Sequence, residues 1–235
     1  MRTKTINLLL AMLGILLLAS SNTIAEPNAL EQANKLNDEW EVIFYSLPSN
    51  QQAERFKALL PRIRELQTKY PNRAEPLIIE AVTLCTLVAA EWSFGALSDI
   101  EKSKELLIKA IALDPNAMEG AAYIALGNLY YRLPGWPISF GDDDLARQNL
   151  ETAVKLFPNE VDTNYFMGDY WLGEDEYEKA LPYLEKAEKS EIRSHHSLSD
   201  HHTKAETQKA LEAARKRESS RSSFFSDIVP SFFKQ

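Results

Sequence analysis

A repeated spacing of 34 residues is the feature that most constrains the fold of this chain. The interval separates three pairs of small or apolar residues: Ala146 and Ala180, Leu150 and Leu184, and Ala153 and Ala187. A period of this length accommodates two short helices and their connections. Two amphipathic helices cannot bury their apolar faces alone, so each pair must stack on the next. The spacing therefore predicts an all-α solenoid of helical hairpins.

Small residues and proline stops mark the individual helices. Gly127 and Gly168 lie in the first helix of two successive pairs, where the lack of a side chain lets helices approach closely. Pro71, Pro115 and Pro158, each followed by Asn, stand where second helices should end, because proline cannot continue a helix. These prolines are 44 and 43 residues apart, so two units carry insertions. We predict about three to four repeats.

The N-terminal segment has the pattern of an export signal. Arg2 and Lys4 precede an almost wholly apolar stretch, 6–19, and small residues follow near the end of 1–25. This pattern is typical of a secretory signal peptide. An uncleaved membrane anchor is the alternative, but the stretch is short for a spanning helix. No Arg-Arg pair precedes it, so the sequence predicts Sec-type export and a periplasmic or secreted protein.

The composition of the rest of the chain indicates one acidic domain followed by a tail. Residues 26–218 are predicted to form the repeat domain, capped by a helix over 204–217, and 219–235 is a tail rich in Phe and Ser. Loss of the signal would change the formal net charge from −8 to −10, which does not suit nucleic acid or an anionic membrane surface. The single Cys85 has no disulfide partner in the chain and is interpreted as a buried structural thiol.

The two insertions lie between the helices of their units, at 91–98 and 132–144. Both contain Trp, Phe and Gly, which predicts two adjacent aromatic loops at one edge of the solenoid. Long loops in a compact domain are often functional. Two interpretations remain open, because the rings could form a lip for a partner or could cap the hydrophobic seam. The aromatic residues are Trp92, Phe94, Trp136 and Phe140.

Two polar clusters could in principle hold metal ions. The acids at 142–144 lack the spacing of a calcium loop and are predicted to cap a helix instead. The four histidines are His195, His196, His201 and His202. They lack the spacing of a known metal motif, so a solvated loop between helices is preferred to a metal site, and no metal or cofactor is predicted.

The residues of the 34-residue repeat resemble the tetratricopeptide repeat (TPR) family over about half the chain. The insertion at 133–143, followed by Ala146, Leu150 and Ala153, is similar to exported bacterial TPR proteins that include the TPR component of tripartite (TRAP) transporters. The resemblance implies an accessory role in which the chain binds a partner protein.

The resemblance does not extend to repeats that hold a peptide carboxylate with Lys, Arg and Asn. Asn128 matches the asparagine of such a clamp, but Ile124 and Tyr165 stand near its basic positions. Asp162 and Asp169 would repel a carboxylate. The inner face is therefore predicted to suit an apolar, neutral or basic segment.

No set of residues resembles a catalytic site, so the chain is predicted not to be an enzyme. The leading hypothesis is an exported scaffold that binds a protein or peptide of the cell envelope through its concave face. The predicted binding residues are Asn128, Tyr131, Trp136, Phe140, Tyr165 and Asp169. The alternative is a carrier of a small hydrophobic ligand, with a cavity lined by Ile78, Val82, Cys85 and Ile124.

Overall fold

A computed structural model describes residues 28–91 and 95–218. These residues form nine α-helices and one 3-10 turn, and no β-strand occurs among them. The helices are α1 (Ala29–Ser46), α2 (Ser49–Lys69), α3 (Glu75–Ala90), α4 (Ala96–Leu113), α5 (Ala121–Arg132), α6 (Asp143–Leu156), α7 (Val161–Gly173), α8 (Tyr177–Lys189) and α9 (Ser197–Lys216). The 3-10 turn, Ala117–Gly120, lies between α4 and α5. The prediction of an all-α fold is confirmed.

Consecutive helices pack as four hairpins. The pairs are α1 with α2, α3 with α4, α5 with α6 and α7 with α8, and each hairpin packs on the next. Helix α9 packs against α7 and α8, as a capping helix should. The molecule is therefore a TPR-like solenoid of helical hairpins with a C-terminal cap, as the sequence predicts.

The residues of the 34-residue period lie at the seams between helices. Ala146, Ala153, Ala180 and Ala187 have no exposed surface. A Cβ atom added to Gly127 would lie 2.8 Å from Leu150 Cγ, which is too close for two carbon atoms. Small residues recur because the helix backbones approach each other at these points.

We expect Gly168→Ala to destabilise the fold. The new Cβ would lie 2.6 Å from both Cγ and Cδ2 of Leu184, and overpacking of this kind costs about 1–3 kcal/mol. The higher helix propensity of alanine offsets about 1 kcal/mol of that cost. Urea denaturation should therefore show a net loss of up to about 2 kcal/mol.

Gly95→Ala is the matched control, because among the described residues no atom beyond its chain neighbours lies within 4 Å of its added Cβ. We expect it to change the free energy of unfolding by less than about 1 kcal/mol. Equal losses in the two variants would show that close helix packing at Gly168 is not the cause.

The last helix begins seven residues earlier than the sequence predicts, at Ser197 and not at 204. The preceding turn is tied to the helix by Arg193, whose backbone N–H and guanidinium both donate to the Asp200 carboxylate. The early start brings α9 back to α1: Ser199 Oγ donates to Glu41 Oε1 at 3.2 Å, and His202 stacks on Tyr45 with ring centroids 4.8 Å apart. The two ends of the solenoid therefore meet.

Several predictions concern residues outside 28–91 and 95–218. They are the signal peptide (1–25), the aromatic side chains Trp92 and Phe94, and the Phe-rich tail (219–235). Within the described part of the chain, no helix is both long and apolar enough to cross a membrane.

Candidate functional site

The loop between α5 and α6, residues 133–142, has a closely fitted backbone. The N–H of Gly141 donates to Pro134 O at 3.0 Å, and the N–H of Asp142 donates to Tyr130 O at 3.0 Å. A Cβ added to Gly141 would lie 1.9 Å from Leu133 O, so only glycine fits where the two ends of the loop cross. Asp142 also caps α6, as predicted, because its Oδ1 accepts the Leu145 N–H at 2.9 Å.

The base of this loop is anchored to the preceding hairpin. Leu133 and Phe140 pack against a buried cluster of Val88, Ala96 and Ile100, which flank the connection between α3 and α4. Lys104 Nζ lies 4.1 Å from the centre of the Phe140 ring. The α5–α6 loop therefore packs against the end of α3 and the start of α4, and Phe140 serves as its anchor and not as a free aromatic lip.

The tip of the loop presents large apolar side chains to solvent. Trp136 is 90% exposed and Ile138 is 60% exposed. The N–H groups of Ile138 and Ser139 both donate to Gly135 O, which holds the tip in one turn. An exposed tryptophan on an ordered turn is the typical form of an interface anchor.

The other predicted binding residues are more enclosed. Asn128 is buried, and its side-chain amide donates to Ile124 O at 2.9 Å within its own helix. Tyr165 is 3% exposed, in a cluster that includes Leu211 of α9. Asp169 is buried and forms an ion pair with Arg132. These three side chains are not accessible to a partner in this conformation, and their role in binding stays a prediction.

Tyr131, the remaining predicted binding residue, is half-buried. Its hydroxyl donates to Glu174 Oε1 at 3.2 Å, and its ring packs edge-on against Tyr170. Burial raises the pKa of Tyr131 above its ordinary value. The structure thus brings Tyr131 close to the Arg132–Asp169 pair, because the Arg132 guanidinium lies 4.7 Å from the Tyr131 ring centre.

The residues around Arg193 form an ion network that the sequence did not predict. Arg193, in the turn before α9, lies 2.6 Å from Asp200 Oδ1, 3.0 Å from Asp162 Oδ2 and 3.4 Å from Glu160 Oε2. Its side chain is only 11% exposed. Burial by itself lowers the pKa of Arg193, but Asp162 and Asp200 more than reverse this effect. Asp162, predicted to select the charge of a ligand, instead has its charge neutralised by Arg193 of the same chain.

His196 connects this network to α1. Its Nδ1–H donates to Glu41 Oε1 at 2.8 Å, and its Nε2 lies 3.4 Å from Glu119 Oε2. Burial alone lowers the pKa of His196, but its bonds to Glu119 and Glu41 together raise it to about 9. The bond from His196 lowers the pKa of Glu119 to about 2, against the opposing effect of burial.

The prediction of a solvated histidine loop is therefore wrong for His196, which is enclosed by the network. His201 and His202 are exposed, as predicted, but lie in helix α9 and not in a loop. Only His195, which is 55% exposed, lies in a solvated turn.

A small cavity lies beside the network. Its volume is about 130 Å³. One wall is apolar and includes Ile78, Val82 and Ile124, as predicted for a ligand carrier, and the other end holds Arg193 and His196. Cys85 is half-buried elsewhere, and burial raises its thiol pKa to about 11, so the thiol is protonated at neutral pH.

The fold and the seam residues define the class of protein: a TPR-like α-solenoid. No family model matches the sequence, and no curated protein matches it. Among solved structures, the crystal structure of MamA protein is similar over 80% of this chain and 92% of that chain, with 20% sequence identity and a TM-score of 0.38. So loose a superposition carries no argument about function, and the resemblance to the TRAP-transporter component stays a prediction.

Proposed function

We propose that this chain is an exported, non-catalytic scaffold that binds another protein of the cell envelope through the tip of the 133–142 loop. The observation that carries the proposal is the exposure of Trp136 and Ile138 on a braced backbone. The sequence of 1–25 is the support for export.

The mechanism is burial of a rigid apolar anchor. An aromatic side chain of this size removes about 150–250 Å² from water, which corresponds to a gross gain of about 4–6 kcal/mol. Much of the usual ordering cost is absent, because the hydrogen bonds to Gly135 and Pro134 already hold the loop. The end of α3 and the start of α4 pack against the base of the loop, at the edge of the surface that a partner would cover.

Site-specific photocrosslinking tests this surface. With a photoreactive amino acid in place of Ile138, we expect one discrete adduct in cells that make the full chain, and we expect Trp136→Ala to reduce its yield at least about tenfold. Trp136→Ala should leave the melting temperature unchanged, because the side chain makes little contact with the fold.

The matched control carries the same photoreactive group at Ile108, which is 48% exposed on α4. The same adduct from both positions, or an adduct at 138 that survives Trp136→Ala, would contradict the proposed interface.

The cavity supports the second candidate, a carrier of a hydrophobic ligand. Its apolar wall of Ile78, Val82 and Ile124 is of the right character. Its volume of about 130 Å³ is nevertheless below the roughly 300–1,000 Å³ of sites for drug-sized molecules. The geometry thus restricts a cargo to very small molecules, and retention of one by the purified chain in a native mass spectrum would favour this candidate.

A further inference from the structure

Two histidines and one carboxylate from distant parts of the chain lie close together. His195 Nε2 lies 3.4 Å from Glu119 Oε1, and His196 Nε2 lies 3.4 Å from Glu119 Oε2. One ligand atom from each of the three residues can be chosen so that all lie within 4.8 Å of one another. Glu119 belongs to the turn after α4 and the histidines to the turn before α9, so only the closure of the solenoid brings them together.

The distances from the two histidines to Glu119 are compatible with a bound zinc ion. Zn–N and Zn–O bonds of 2.0–2.2 Å at tetrahedral angles place two ligand atoms about 3.3–3.6 Å apart. Each histidine nitrogen lies at this distance from a different oxygen of Glu119, His195 from Oε1 and His196 from Oε2, so one ring must shift for both to share an ion with the same oxygen. His195 is 55% exposed, so its ring can turn to complete the set without disturbing the core.

Glu41 holds the His196 ring in the way that is usual for a metal-binding histidine, through a hydrogen bond to the ring nitrogen that would not bind the metal. Its Nδ1–H donates to Glu41 Oε1 at 2.8 Å, which leaves Nε2 directed toward Glu119. A carboxylate that accepts from the far nitrogen of a histidine fixes the tautomer and raises the basicity of the ligand nitrogen. Ser199 Oγ in turn donates to Glu41 Oε1 at 3.2 Å and holds that carboxylate in place.

The local charge and backbone favour a cation. Contacts to Arg193 or His196 come from five carboxylates: Glu41, Glu119, Glu160, Asp162 and Asp200. When an ion displaces the proton from Nε2 of His196, the single positive charge of Arg193 leaves this group strongly negative. Met118 and Glu119 both have positive φ values, 49° and 48°, a conformation that non-glycine residues rarely adopt and that often accompanies a functional site.

We propose that Glu119, His195 and His196 bind a divalent first-row transition ion, with Zn²⁺ as the best fit to two imidazoles and a carboxylate. Glu41 positions His196 from behind. The ion joins the turn after α4 to the turn before α9 and so ties the solenoid closed. Three protein ligands leave a fourth position for water or for a side chain of a partner.

Metal titration of the untagged full chain tests the proposal. Zn²⁺ affinity is measured by competition with a chromophoric chelator, and Co²⁺ is added separately to record the visible absorption of a tetrahedral site. We expect one ion per chain and a rise in melting temperature on binding. We expect His195→Ala to weaken Zn²⁺ binding at least about tenfold, and Glu119→Gln to do the same.

His201→Ala is the matched control, because this exposed histidine lies six residues from His195 and outside the cluster. Affinity unchanged from the wild type in this variant, together with the loss in His195→Ala, supports the site. Three results would overturn it: no Zn²⁺ binding by the wild-type chain, equal affinity in His195→Ala and wild type, or an equal loss in His201→Ala. His195→Ala removes an exposed side chain, so its melting temperature without metal confirms that the variant is folded.

Discussion

Arg193→Met is expected to lower the free energy of unfolding by about 3–5 kcal/mol, the cost of breaking a buried ion pair by removing one partner. Methionine keeps much of the apolar stem of arginine, so the loss reports mainly the charge. Asp200 is 1% exposed and would keep its carboxylate without the guanidinium that neutralises it. Asp162, 3.0 Å from the same guanidinium, would lose its partner as well. Urea denaturation followed by circular dichroism measures the effect.

Two further variants separate the charge effect from a loss of packing. Arg215→Met removes an arginine that is 59% exposed and 3.7 Å from Glu185, and it should cost less than about 0.5 kcal/mol. Adding Asp200→Asn to Arg193→Met should recover part of the loss, because the uncompensated charge is then gone. A loss in Arg193→Met as small as that in Arg215→Met would mean that the network does not hold α9 in place.

The stability of the metal-free chain is expected to fall as the pH rises from about 6.5 through about 9. The pKa of His196 is raised in the folded state, so the protonated form stabilises the fold fully below the unfolded value near 6.5 and is lost above the folded value. A shift of this size corresponds to a contribution on the order of 3 kcal/mol. Stability is measured by urea denaturation in EDTA at several pH values.

The ion pair between His196 and Glu119 also limits stability in acid. The pKa of Glu119 is lowered to about 2, so its contribution is present above the ordinary value of 4.5 and is lost as the pH falls through about 2. The pair therefore acts at full strength between about pH 4.5 and 6.5. The losses of stability at alkaline and at acid pH both come from breaking the His196–Glu119 pair, so their free energies are not added.

The matched variant for the alkaline loss is His196→Gln, which keeps a polar side chain but cannot titrate. The charged and titratable groups that act on His196 are Glu41 and Asp38 of α1, Glu119, Arg193 and the neighbouring His195. The difference in stability between wild type and His196→Gln should shrink as the pH rises from 6.5 to 9. A difference that stays constant or grows over this range would show that His196 is not the titrating group.

The predictions that held concern local pattern. The 34-residue interval placed Leu150 and Leu184 at equivalent seams, and both are fully buried. Asp142 caps α6 because a side-chain oxygen at that position can reach the backbone N–H groups of the first turn. Trp136 was singled out as a binding residue; the structure exposes it at the tip of a braced loop, and its role in binding stays a prediction. The information for each of these features lies within a few dozen residues of the chain.

The inner face was predicted less well, for a physical reason. The repeat register correctly placed Tyr165 and Asp169 on one side of α7, but it could not show that α9 packs over Tyr165 or that Arg132 pairs with Asp169. Burial depends on what lies opposite, and the opposing residues come from other helices. The sequence signal that could have pointed to this network is Arg193, which lies within three residues of His195 and His196.

By itself, the sequence determined an all-α hairpin solenoid, because small and apolar residues at a helical repeat interval leave stacked helix pairs as the way to bury them. Only the tertiary structure decided that the solenoid closes on itself. Glu41, Glu119 and His196 are separated by more than 70 residues from one to the next, and no local pattern connects them. The curvature accumulated over four hairpins brings α9 to α1, and the charge network exists because those two ends meet.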